Sequence, residues 1–186
     1  MIPLIIDPLR VPMMVVGNEA SAARRLASLR QGGAVRVRMF ADDPCTELTM
    51  KAGEDLRRRL PSAADFEQVR IVFVAGLAER KAARIANMAR ESGALVQVED
   101  LRQECDFLMP AIVRRGDLMI SISTGGRSPG LARRLRRHFE ESIGPEWETR
   151  VEQLAERRRG WREGGDNPAT IAEKTGALID SKGWLK

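Results

Sequence analysis

The chain has 186 residues, 43% of them hydrophobic, enough to bury one good core and a smaller appended domain. Lys plus Arg (31) exceed Asp plus Glu (26), and the net charge of +5 favours small anionic partners; with no Tyr and 4% aromatics, stacking platforms for nucleic acid are scarce, so none is expected. Two cysteines, Cys45 and Cys105, and one histidine, His138, leave neither a disulfide framework nor the spacing of a metal site, so no protein-held metal is expected.

Pro12-Met13-Met14-Val15-Val16 is an apolar run ending at Gly17 and reads as a buried strand. Asn18 is placed to cap a helix carrying Ala22, Ala23, Leu26 and Leu29 at helical spacing, and Gly32-Gly33 stops it. Ala34 to Phe40 alternates and reads as a second strand. Strand, helix and strand together open a doubly wound fold. After the turn Asp42-Asp43-Pro44, the pattern suggests a helix from Thr46 to Leu60. Ile71 to Ala75 is a buried strand ending at Gly76, a helix spans Ala78 to Glu91, and Leu95 to Val98 is the next strand, with Asp100 just beyond it. Gly17, Gly76 and Asp100 are therefore expected at the carboxyl edge of one parallel sheet, where such sheets bind ligands.

After Pro110 the pattern changes. Ala111–Val113 and Leu118–Ser123 read as short strands around Arg114-Arg115-Gly116-Asp117. Ser128 opens a basic helix to about Ile143, with Pro129 at its first position. A charged helix follows from Glu146 to Arg162, and a short one from Pro168 to Ile179. The N-terminal Met1–Asp7 stretch is too short and lacks the basic start of a signal peptide, and no apolar run approaches the roughly 20 residues of a membrane helix. A cytoplasmic protein without membrane partners is expected.

A dinucleotide loop wants G-x-G-x-x-G between strand and helix. Here the sequence is Gly17-Asn18-Glu19-Ala20-Ser21-Ala22: the first glycine is present, alanine at the third position is tolerated, and Glu19 replaces the second. A purely structural turn is an equal reading of this loop. Asp42 and Asp43 follow the second strand, where a ribose would lie; solvated turn carboxylates are the plainer reading. Ser123-Thr124-Gly125-Gly126-Arg127-Ser128-Pro129 feeds a helix N-terminus, and its glycines, hydroxyls and Arg127 suit a carboxylate or phosphate. The same residues also read as a capped turn.

The stretch Cys105-Asp106-Phe107-Leu108-Met109-Pro110-Ala111-Ile112-Val113, then Arg115-Gly116-Asp117-Leu118 and Ile120 to Arg133, resembles the signature region of the siroheme synthase family, the precorrin-2 dehydrogenases and sirohydrochlorin ferrochelatases. The match covers roughly residues 1 to 160 and is specific from about Val96 to Arg136. The resemblance implies an α/β protein: a Rossmann-like parallel sheet domain of NAD-binding type (1–110), a small dimerisation segment (111–144) and a helical C-terminal domain (145–186). It also implies a homodimer, an anionic tetrapyrrole substrate, NAD as cofactor and ferrous iron as a substrate. Asp100, seven residues before Phe107 as in the family, is then the catalytic base. Gly17, Asn18, Glu19, Ala20 and Gly76 are the cofactor-binding candidates, and Thr124, Gly125, Gly126, Arg127 and Ser128 the substrate-binding ones. Where the family carries A-A-T-D after the later strand, this chain reads Ala75-Gly76-Leu77-Ala78, so the dehydrogenase half departs from the pattern at two places. The expected function is conversion of precorrin-2 to sirohydrochlorin, insertion of ferrous iron, or both; a non-catalytic tetrapyrrole carrier is the alternative.

Overall fold

A computed structural model describes residues 1–185 of the chain. It divides into two compact units, Met1–Leu108 and Met109–Lys186.

The first unit is a five-stranded parallel sheet with flanking helices, a Rossmann-like fold. Its elements run β1 (Met13–Val16), α1 (Ala20–Gln31), β2 (Val37–Phe40), α2 (Thr46–Ala52), β3 (Leu56–Arg57), β4 (Ile71–Val74), α3 (Glu79–Glu91) and β5 (Leu95–Val98), in the spatial order β3-β2-β1-β4-β5. All four residues of β1 and of β4 are buried, as expected of strands covered on both faces. On one face Val72, Val74, Val96 and Val98 pack with Ala82, Ile85, Ala86 and Ala89 of α3. The register pairs Val16 with both Phe40 and Val74, and Val74 with Val98. Residues 17, 41, 75 and 99 thus leave the sheet along one edge. Strand order reverses between β1 and β4, and a crevice opens at such a reversal.

Two elements differ from the sequence reading. The second strand begins at Val37 rather than Ala34, because the Ala34 N–H is spent on the Leu29 carbonyl at the end of α1. The helix expected to reach Leu60 ends at Ala52: Gly53 turns away with φ 56°, a single 3-10 turn covers Gly53–Asp55, and Leu56–Arg57 joins the sheet edge beside Met39 and Phe40.

The second unit opens with an antiparallel hairpin, β6 (Ala111–Arg115) and β7 (Leu118–Ile122). Its two-residue turn places Gly116 at φ 54°, a conformation glycine adopts without strain. Three helices follow: α4 (Pro129–Ser142), α5 (Trp147–Glu163) and α6 (Pro168–Lys182). Arg115 fastens hairpin to α4 by donating to the carbonyls of Ile143 at 2.8 Å and Glu140 at 3.0 Å, which satisfies carbonyls at the helix end. Arg150 of α5 lies against the rings of both Trp147 and Trp184, 5.0 and 5.4 Å from their centroids, and ties the chain beyond α6 to α5. The last helix runs three residues beyond the Ile179 of the sequence reading, to a left-handed Gly183 cap.

Candidate functional site

Three loops meet at the carboxyl edge of the first unit. In the first, Gly17 approaches β4 so closely that a Cβ there would lie 1.7 Å from the Ala75 carbonyl oxygen. Only glycine fits, and the requirement comes from packing between strands rather than from a ligand. Asn18 does not cap α1. The cap position is Glu19, whose side chain makes no capping bond. Asn18 instead joins the first loop to the second: its amide donates to Asp42 Oδ1 at 2.8 Å, its Oδ1 accepts from the Asp43 N–H at 3.2 Å, and its carbonyl accepts from the Cys45 N–H at 2.8 Å. Lys81 of α3 takes the other Asp42 oxygen at 2.7 Å. Hydrogen bonds from Lys81, then Asn18, hold the Asp42 carboxyl below the usual carboxylate range. In the third loop Gly76 has φ 65°, and a Cβ there would lie 2.6 Å from the Glu19 Cβ.

These loops enclose a cleft of ≈ 460 Å³ whose wall includes Asn18, Glu19, Asp43, Gly76, Leu77 and Lys81. Ala20, the first residue of α1, stands behind Glu19. Asp43 lines the cleft, while Asp42 stands beside it with its two oxygens taken by Asn18 and Lys81. At the start of α1 the loop departs from a bare glycine turn. Glu19 puts a carboxylate at the mouth of α1, where bare backbone would otherwise meet the anion, and the one nearby lysine is already paired with Asp42.

Asp100 stands at the end of β5, exposed, with φ 63°. Only Gln68 shares a left-handed φ among the other described non-glycine residues. Such strain persists where surrounding contacts impose it. Here they are explicit. The Glu99 N–H donates to the Val74 carbonyl at 2.9 Å. The Cys105 thiol donates to the Val98 carbonyl at 3.1 Å and accepts from its N–H at 3.4 Å. Asp106 is tied to β5 through Val96 and to Arg90 of α3. Asp100 is exposed at the start of the loop that these contacts pin. Phe107 closes it by setting its ring edge-on to Phe73, centroids 5.5 Å apart. Leu108 and Met109, which follow it, are half-buried.

In the second unit the Thr124–Ser128 loop carries left-handed glycines at 125 and 126. The Thr124 hydroxyl accepts from the Ser128 N–H and donates to the Ser128 carbonyl, both at 3.1 Å. The Ser128 hydroxyl caps α4 by accepting from the Leu131 N–H at 3.3 Å, with Pro129 first in the helix. The Arg127 side chain is left exposed, as are Arg133, Arg134, Arg137 and His138 of α4. A built turn and an anion cradle are compatible in this loop.

The sequence reading passed over Arg25, whose guanidinium lies 5.2 Å from the centre of the Phe73 ring. Its position was a signal: it lies three residues after Ala22 and four before Leu29, on the buried stripe of α1. Among the described residues no cluster of three His, Cys, Asp or Glu could hold a metal, and no helix is long and apolar enough to cross a membrane.

Comparison with known proteins bears on this geometry. A family model described as "Putative NAD(P)-binding" matches residues 4–111, and one described as "Sirohaem biosynthesis protein central" matches residues 115–142. The chain is 31% identical over 169 residues to the siroheme synthase of Methylococcus capsulatus (strain Bath), covering 90% of this chain and 36% of that protein. It is 34% identical over 151 residues to the siroheme synthase of Nitrosococcus oceani, covering 78% and 31%. It thus spans about a third of the length of the curated relatives it matches. A solved structure, "SirC, precorrin-2 dehydrogenase", shares the fold with a TM-score of 0.78 at 21% identity, over 98% of this chain and 91% of that one. The chain belongs to the siroheme synthase family, as a counterpart of its NAD(P)-binding and central segments.

Proposed function

We propose that the protein is an enzyme of siroheme biosynthesis that inserts ferrous iron into sirohydrochlorin, with Asp100 as the base, and that its dinucleotide-dependent dehydrogenation of precorrin-2 is the weaker activity. The supporting observation is Asp100 itself: an exposed carboxylate held in a left-handed conformation at the carboxyl edge of the sheet.

In the reaction two pyrrole N–H protons leave the macrocycle and one ferrous ion, a substrate, takes their place. A carboxylate beside the ring accepts these protons one at a time. The exposure of Asp100 lets each pass on to water before the next arrives. No fixed metal cage is required, because the macrocycle nitrogens are the ligands of the product. In the second unit, the Thr124–Ser128 loop, with exposed Arg127, offers donors of the kind that suit a carboxylate. A homodimer, which the family resemblance implies, belongs to the same reading.

NAD(P), when bound, would supply the hydride acceptor for dehydrogenation. Asn18 and Asp42 would meet its ribose side, while Glu19 opposes its phosphates and weakens its hold. The test offers the purified protein both substrates. Iron insertion well above the spontaneous rate, with slow precorrin-2 turnover at ordinary NAD+ concentrations, is expected. Brisk NAD+-dependent turnover without accelerated iron insertion would reverse the assignment.

A further inference from the structure

Arg25 and Glu99 take no part in the chemistry above, yet both are built into the carboxyl edge of the first unit. The Arg25 guanidinium lies over the Phe73 ring, 5.2 Å from its centre, on a residue that is 2% exposed. A guanidinium carries five N–H donors and is seldom withdrawn from water unless acceptors receive them. Among the described residues it makes no ion pair or hydrogen bond. Burial pushes its pKa down, and the charge of Glu99 pushes it back up through space. Glu99 follows β5 directly, and its Oε2 is buried without a hydrogen-bond partner. A partly buried guanidinium without a protein partner and a buried carboxylate oxygen without one therefore lie within reach of each other's charge, the second next in sequence to the proposed base Asp100. Buried polar atoms without partners call for an explanation. The neighbouring charge of Arg25 compensates the Glu99 oxygen, and a ligand that brings an acceptor gives the guanidinium the partner it lacks.

We propose that Arg25 anchors a rim carboxylate of the tetrapyrrole substrate, and that Glu99 is the counter-charge that balances the guanidinium in the free protein; this rests on the substrate class given under Proposed function. The Phe73 ring holds the guanidinium in place before the substrate arrives, and a carboxylate meets it as a charge-assisted pair. Glu99 opposes the incoming carboxylate by its own charge, so the two residues act on affinity with opposite sign. Neither exchanges a proton with the reacting nitrogens; both are positioning residues.

The test is an absorbance titration of wild type, Arg25→Gln, Arg25→Lys and Glu99→Gln with sirohydrochlorin, alongside steady-state iron insertion and melting temperatures. Arg25→Gln should weaken binding by about tenfold or more, as loss of a charge-assisted bond does, appearing in KM with kcat little changed. Arg25→Lys should recover part of the loss. Glu99→Gln should tighten binding. A purely structural pair would lower melting temperature and affinity together in both variants, and that result would overturn the anchor. So would Arg25→Gln binding as wild type does. If wild type itself binds no sirohydrochlorin, the proposed function fails and the anchor falls with it. Wild-type binding that is indifferent to Arg25 removes the anchor alone.

Discussion

Asp106 and Val96 are joined twice, each bond 2.8 Å: the Asp106 N–H donates to the Val96 carbonyl, and the Val96 N–H donates to Asp106 Oδ2. The chain therefore leaves β5 after Val98 and is brought back against the same strand within eight residues. Asp100 lies on that excursion and has little freedom to relax out of its left-handed conformation. The Cys105 thiol, bonded to both the N–H and the carbonyl of Val98, closes it from the inside.

Replacing Asp106 by Ala should thus act on activity through structure. It leaves the partly buried Val96 N–H without an acceptor and Arg90 without one of its two acidic partners. A loss of about 1–3 kcal/mol of stability is expected, with a fall in iron insertion as the loop loosens. Urea unfolding gives the first quantity. Asp106→Asn, which can still accept from Val96, should fall between the two.

Asp100→Gly separates the backbone from the carboxylate. Glycine adopts φ 63° without strain, so this variant should be more stable than wild type by about 1 kcal/mol, while its iron insertion drops to the spontaneous rate. Thermal unfolding and a chelation assay on the same preparation check both halves. A destabilised Asp100→Gly protein would mean that the side chain, rather than the loop, holds the turn.

Glu19→Gly should strengthen NAD+ binding by about tenfold or more, the effect of removing roughly 1.4 kcal/mol of repulsion from the phosphate position. Glu19→Gln should give part of that gain, because it removes charge but keeps bulk. Calorimetric titration with NAD+ reads both. No change in either variant would show that Glu19 stands clear of the phosphates.

Acid sensitivity should trace in part to Asp65. Hydrogen bonds from Arg59, foremost, and then from the Ser62 hydroxyl and N–H hold its carboxyl well below the usual range. A depressed folded pKa contributes stability above the unfolded value, about 3.9, and that contribution is lost as pH falls from there through the folded value. Between pH 4 and pH 2, about the range in which an unfolded aspartate gains its proton, wild type should lose more stability than Asp65→Asn. Exposure of Arg59 to solvent makes the difference smaller at high salt.

Much of this was legible in the sequence, for physical reasons that differ between elements. Continuous apolar runs such as Ile71–Val74 occur where a strand is covered on both faces, so the sheet and its carboxyl edge followed from pattern alone. Ser128 and Pro129 announced α4 because capping chemistry is local. The edge strand Leu56–Arg57 was hidden: two residues carry no period, and their pairing depends on Met39 and Phe40, distant in sequence. Asn18 looked like a cap because its residue type suits one; its true partners, Asp42, Asp43 and Cys45, are brought to it only by the fold. The place of Arg25 against Phe73 and the unpartnered oxygen of Glu99 were hidden for the same reason, since both are properties of surroundings rather than of residue type.

The most direct measurement of the central claim is single-turnover iron insertion into bound sirohydrochlorin, comparing wild type with Asp100→Asn at equal occupancy of the macrocycle. Asn preserves size and tolerates the left-handed backbone but cannot accept a proton at neutral pH. The account predicts that Asp100→Asn binds sirohydrochlorin as wild type does and inserts iron no faster than free solution. Equal insertion rates in the two proteins would contradict it and leave a protein that carries the tetrapyrrole without acting on it.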